Sequence, residues 1–135
     1  MTAFTPKVTG HTGLDPLASR YVDIENLAWQ ASNFPGVDFK TLLVDPETGI
    51  LTTLVRMAPG ATLPDHEHMD IEQTYVLNGS LVDHEGEAIS GNFVWRPSGS
   101  QHEAWSPSGA LTLSIFMKPN KFFGDMDNQP KNNKN

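Results

Sequence analysis

From Phe39 onward the chain alternates short apolar runs with turn-forming clusters at near-regular spacing, and no stretch sustains a long helical period. The runs predict strands over Phe39–Val44, Ile50–Met57, Glu72–Leu77, Leu81–Asp83, Glu87–Ile89, Asn92–Arg96, His102–Trp105 and Leu111–Met117. Turn residues stand between them: Asp45-Pro46, Pro59-Gly60, Glu85-Gly86, Pro97-Ser98-Gly99 and Ser106-Pro107-Ser108-Gly109. Asn78-Gly79, between Thr74-Tyr75-Val76-Leu77 and Leu81-Val82, is the strongest short hairpin signal in the chain. Many short strands without long helices predict an all-β sandwich or barrel. Residues 1–19, rich in Thr, Gly and Pro, read as an extended arm ahead of a domain over 20–118. Tyr21–Trp29 fits a short strand followed by a turn as well as it fits one helical turn. Residues 119–135 lose periodicity and end in Pro130-Lys131-Asn132-Asn133-Lys134-Asn135, which predicts a disordered tail.

Composition narrows the classes. A chain of 135 residues is the size of one domain, and three Trp with seven Phe supply large core pieces. The absence of cysteine excludes a disulfide framework and a thiolate metal site. A formal charge of −7 argues against nucleic acid, whose phosphates it would repel. There is no apolar run long enough for a membrane span, and no charged-then-apolar signal opens the chain, so a cytoplasmic location is expected.

Two spaced clusters carry the candidate chemistry. The first runs Gly60, five residues, His66, one residue, His68, three residues, Glu72, six residues, Gly79. The second runs Gly91, five residues, Pro97, Ser98, Gly99, two residues, His102. Imidazole nitrogens and a carboxylate oxygen form a ligand set for Fe(II), Zn(II), Mn(II) or Ni(II). His66 and His68 are two apart, so on a strand they share a face and can reach one ion. Glu72 keeps the same parity, either as a fourth ligand or as a carboxylate that fixes an imidazole tautomer. His102 must return from a different strand. Asp65, Glu67 and Asp70 read as solvated charge, and His84 and His11 as exposed.

The clusters match the two motifs of the cupin superfamily, G-x5-H-x-H-x3-E-x6-G and G-x5-P-x-G-x2-H-x3-N, at every position but the last, where Ser106 replaces Asn. Gly36-Val37-Asp38-Phe39-Lys40, the run Leu54 to Ala61 and Tyr75 to Ser80 are further similar to ChrR-like cupin domains. The resemblance covers roughly residues 20–118 and implies a double-stranded β-helix, a jelly-roll barrel. It implies a metal held by His66, His68, Glu72 and His102, with Fe(II) first and Zn, Mn or Ni as alternatives. Relatives include dioxygenases that cleave diketones and hydroxyacetophenones, so the implied activity is oxidation of a small enolisable ketone by O2. The family also includes an anti-sigma factor's cupin domain, which makes a non-catalytic regulatory cupin the alternative; a metal-dependent isomerase or lyase is a third. This chain lacks the cysteines of the zinc module that anti-sigma relatives carry. Around the metal, Arg56, Tyr75, Trp95, Arg96, Gln101, Trp105 and Phe116 are candidate pocket residues, and Glu72, Arg56 and Tyr75 are expected in catalysis. A small-molecule substrate and a homodimer are the expected partners.

Overall fold

The computed structural model describes residues 2–123. Its elements are a 3-10 turn at Ile24–Asn26 and strands β1 (Gln30–Ala31), β2 (Val37–Val44), β3 (Leu51–Met57), β4 (Ala61–Glu67) and β5 (Glu72–Val82). They continue with β6 (Glu87–Ile89), β7 (Phe93–Arg96), β8 (Gln101–Ser106), β9 (Ala110–Phe116) and β10 (Lys121–Phe122). All named pairings are antiparallel. The hydrogen-bonded order is β1-β2-β3-β9-β5-β8-β4-β10, with β6 and β7 both on β5, a curled sheet that gives the all-β cupin barrel expected from the strand pattern. Among the described residues no helix is long and apolar enough to cross a membrane.

The expected Asn78-Gly79 hairpin is not there. Both residues lie inside β5, which runs straight through them. The first half of β5 pairs with β7 and β9, and its end pairs with β6 and, at Val82, with β8. The register against β9 slips between Val76 and Asn78, so one strand bends from one side of the barrel to the other. Gly79 has φ +77, and a Cβ there would lie 1.9 Å from the Gly109 carbonyl oxygen. The glycine marks a close backbone approach at a bulge, a use of Gly that the dipeptide signal cannot distinguish from a turn.

β4 is missing from the sequence reading, since Pro64, Asp65 and the histidines break its alternation, and so are the two-residue β1 and β10. Two readings at the ends are refined. One 3-10 turn occupies the ambiguous Tyr21–Trp29 stretch. The expected tail loses its first residues to β10, which pairs with β4; the remainder lies outside the described residues. The arm lies along β2, where Phe4 bridges Val44 and the Thr5 hydroxyl donates to the Leu42 carbonyl.

Inward positions of β3, β9, β5 and β7 align in rows across the sheet. Leu51, Phe116, Glu72 and Arg96 form one; Thr53, Ser114, Thr74 and Val94 the next; Val55, Thr112 and Val76 a third. The apolar core gathers beside them, with Phe34, Val37, Met57, Val76, Leu81 and Phe122 among its buried members. Ser106, where the superfamily motif has Asn, is fully buried and donates its hydroxyl to the Ser80 carbonyl.

Candidate metal centre

His66 faces inward because β4 carries one residue too many. Against β8, Leu63 pairs with Ala104 and His66 with His102, so three residues of β4 span what two span in β8. The buried or half-buried inward side chains of β4 therefore change from the odd positions Ala61 and Leu63 to the even position His66. Pro64, which has no N–H to offer a ladder, sits in this bulge, and its carbonyl accepts from His66 Nδ1–H at 2.8 Å. His68 follows just past the end of β4, fixed by its own N–H to the Ser100 carbonyl and by Gly99 N–H to its carbonyl. His102 enters from β8 opposite His66.

The three imidazoles surround one point. Their ring centroids are 4.7, 4.8 and 5.0 Å apart, and one potential ligand atom from each lies within 4.8 Å of the others. In every ring Nδ1 faces an oxygen. His68 Nδ1–H donates to the Ser100 carbonyl at 3.1 Å and lies 2.9 Å from its hydroxyl, and His102 Nδ1–H donates to Asp83 Oδ2 at 3.1 Å. Carbonyl and carboxylate oxygens only accept, so Nδ1 carries the hydrogen and Nε2 keeps the lone pair. Oriented in this way, imidazoles are ready metal ligands.

Glu72 pairs with His68 alone among the three, its Oε1 3.0 Å from His68 Nε2. That contact lacks hydrogen-bond alignment, which leaves the buried Nε2 with no hydrogen-bond partner. Donor atoms on adjacent octahedral corners, each about 2.1 Å from a metal, lie roughly 3.0 Å apart. An orphaned buried nitrogen beside a carboxylate at that spacing fits a metal ion. Glu72 Oε2 meanwhile accepts from Thr74 Oγ1 at 3.0 Å.

Electrostatics keep the cluster ready to ligate. Burial, followed by the Arg96 charge and the neighbouring imidazoles, holds His102 down at about 4. Burial likewise lowers His66. For Glu72, burial pushes upward, but the adjacent His68 and His66 imidazoles and the Thr74 hydroxyl outweigh it and leave the carboxyl below its ordinary range. Two neutral imidazoles and an anion are the states metal binding requires near neutral pH.

A small cavity of about 70 Å³ opens on this cluster. Of the residues expected around the metal, His66, Glu72, His102, Arg96 and Phe116 line it, while the fully buried His68 lines an adjoining pocket with Asp83, Arg96 and His102. Arg56 and Tyr75 are placed elsewhere. Arg56 is on the outer face, paired with Asp38 at 2.9 Å and stacked over Trp29 at 4.1 Å. Tyr75 is 42% exposed, because β5 turns Glu72, Thr74 and Val76 inward and the residues between them outward. Trp95 and Gln101 are exposed but border an open pocket together with His68 and His102, and Trp105 packs against the surface His84. The inward arginine is Arg96, buried against Asp83.

Three contributors escaped the sequence reading. Asp83 supports His102 and Arg96 together, yet in sequence it is one more acid near a turn. Ser100 supports His68 from a glycine loop. Phe122 stacks 4.8 Å from the His66 ring and 4.7 Å from Phe34, although it falls in the segment expected to be tail. Its aromatic neighbours Phe122-Phe123, so near a non-periodic terminus, were the available signal.

The family model described as ChrR Cupin-like domain matches residues 17–122. No curated protein matches the sequence. Solved structures resemble it throughout. A provisionally assigned acetylacetone dioxygenase from Methylibium petroleiphilum shares 20% identity over 87% of this chain and 88% of its own, with a TM-score of 0.74. An acetylacetone dioxygenase from Acinetobacter johnsonii shares 21% over 84% of each chain, with a TM-score of 0.72. The complex of Rhodobacter sphaeroides SigE with the anti-sigma ChrR shares 21% over 69% of this chain and 51% of the other, with a TM-score of 0.61. At such identities the likeness establishes the fold.

Proposed function

The chain belongs to the family of ChrR cupin-like domains, and from that premise we propose that it is a metal-dependent oxygenase, a non-haem Fe(II) dioxygenase acting on a small enolisable ketone, diketone or hydroxyaryl ketone. The observation that carries this reading is the buried cluster of three imidazoles with Nδ1 committed to oxygen and His68 Nε2 left without a hydrogen-bond partner. His66, His68 and His102 would hold the ion, with Glu72 Oε1 as a fourth ligand beside His68. Bound Fe(II) supplies Lewis acidity and open positions at which substrate and O2 can meet; Zn, Mn or Ni could occupy the same donors.

The chain's own residues set the rest of the chemistry. Asp83 holds His102 in the tautomer that ligates, as Ser100 does for His68 and the Pro64 carbonyl for His66. Arg96, neutralised on one side by Asp83, lines the cavity and offers its remaining N–H donors to an oxygen that gains negative charge, as an enolate does. The aromatic and aliphatic walls, Phe34, Phe39, Phe116 and Phe122 among them, keep water away from a reactive site.

A second reading, a regulatory cupin that binds metal without turnover, draws support from the likeness to the SigE–ChrR complex. The test is elemental analysis of anaerobically purified protein, followed by O2 uptake with acetylacetone and hydroxyacetophenones. Iron with substrate-dependent O2 consumption supports the oxygenase. Tight zinc without O2 uptake after iron reconstitution overturns it. Glu72→Gln should weaken metal binding more than 100-fold as a ligand, against roughly ten- to hundredfold for an orienting carboxylate.

A further inference from the structure

One row below Glu72, the interior of the barrel carries hydroxyls where a core would carry methyl groups. Thr53 on β3, Ser114 on β9 and Thr74 on β5 are direct cross-strand partners, and Thr112 lies one row further in. All are buried and all line the cavity that holds the histidines. Thr74 Oγ1, besides donating to Glu72, lies 3.3 Å from Ser114 Oγ, which lies 3.4 Å from Thr112 Oγ1. Thr53 Oγ1 has no hydrogen-bond partner among the described residues, although Thr53 is only 5% exposed.

A buried hydroxyl with nothing to bond is destabilising, and its position on the cavity wall says where a partner would come from. Proton conduction does not explain the set, because among the described residues the chain of hydroxyls ends at Thr112, which is itself buried. The chemistry of the row also restricts its guest. Among the described residues no charged side chain stands in it, and Glu72 and Arg96 share the row above, so the hydroxyls offer hydrogen bonds to an uncharged oxygen and no counter-charge to an anion. Rows two residues apart along a strand are separated by about 7 Å.

We propose that Thr53, Ser114 and Thr112 form a second polar subsite, which takes an uncharged carbonyl or hydroxyl oxygen of a ligand whose other oxygens sit at the histidine cluster. This rests on the enolisable-ketone reading above and narrows it to substrates with a further oxygen several bonds from the chelating pair.

The test compares heptane-2,4,6-trione with heptane-2,4-dione, which share a 1,3-diketone and differ by one remote carbonyl. Dissociation constants are measured by anaerobic calorimetry on the purified metal-loaded protein. The trione should bind about five- to tenfold more tightly, the usual worth of one satisfied buried hydrogen bond. That ratio should fall to about one in Thr53→Val and return in Thr53→Ser. If Thr53→Val does not fold, Ser114→Ala takes its place. Equal binding of the two compounds to the native protein, or an unchanged ratio in folded Thr53→Val, overturns the subsite and leaves the diketone reading standing, the hydroxyls then serving only to hold water. Failure of both compounds to bind removes the diketone reading and the subsite with it.

Discussion

Replacing Asp83 separates support of the metal from support of the fold. Its carboxylate is 7% exposed and fully engaged. Oδ2 accepts from Arg96 and from His102 Nδ1–H, while Oδ1 accepts the N–H groups of Glu85 and Gly86 at 2.8 and 2.9 Å. Asp83→Ala leaves the Arg96 guanidinium, itself 9% exposed, without a counter-charge. Removing one partner of a buried ion pair costs about 3–5 kcal/mol. The turn amides add less, since water can reach them. His102 also loses the acceptor that fixes its tautomer, which should weaken metal binding roughly ten- to hundredfold. Asp83→Asn keeps the volume and one acceptor but loses the charge, so it should fall at the small end of both ranges. Urea titration gives the stability, and competition with a chromophoric chelator for Zn(II) gives the affinity. If Asp83→Ala binds zinc within twofold of the native protein, the argument that His102 depends on this carboxylate fails. A large stability loss with native affinity would assign Asp83 to Arg96 alone.

Burial depresses His102 to about 4 and lowers His66, so between pH 6.5 and 4 the unfolded chain binds more protons than the folded one. The metal-free protein should lose stability as pH falls through that window, and a urea midpoint that stays flat from pH 7 to 5 would contradict this. Glu72 and Asp83, both lowered, add to the loss only at lower pH, as each carboxylate becomes protonated. Gly60 and Gly79 have similar positive φ, +85 and +77, but only Gly79 faces backbone, at 1.9 Å. Gly60→Ala should cost about 1–2 kcal/mol and Gly79→Ala about 4 or more; similar urea midpoints for the two variants would refute the close approach. Phe122→Ala removes a ring packed on both Phe34 and His66 and should cost about 3–5 kcal/mol by the same titration.

The strand content and the three histidines were readable because both are local: period-two alternation marks β2, β3 and β9, and the H-x-H spacing marks a shared face. What could not be read depends on partners distant in sequence. Asn78-Gly79 has the composition of a turn, and only the proximity of Gly109 makes it the bend of a continuous strand. Arg56 and Arg96 are equivalent as residues; the parity of β3 and β7 sends one outward to Asp38 and the other inward to Asp83. Asp83 itself stands nineteen positions before the histidine it supports. Phe122 looked like tail because β10 is two residues long, too short for a pattern, and is held by pairing with β4.

The bulge at Pro64 and Asp65 means that this segment is specified by its length more than by its chemistry. Thr62 and Asp65 point to solvent and can accept substitution. A regular strand of the same length would carry His66 to the outside of the barrel, whereas deleting one residue between Ala61 and His66 would remove the bulge and leave His66 facing inward, opposite His102. The five residues after Gly60 and the bulge are therefore matched to each other, and a change in one without the other would turn the imidazole away from the metal centre.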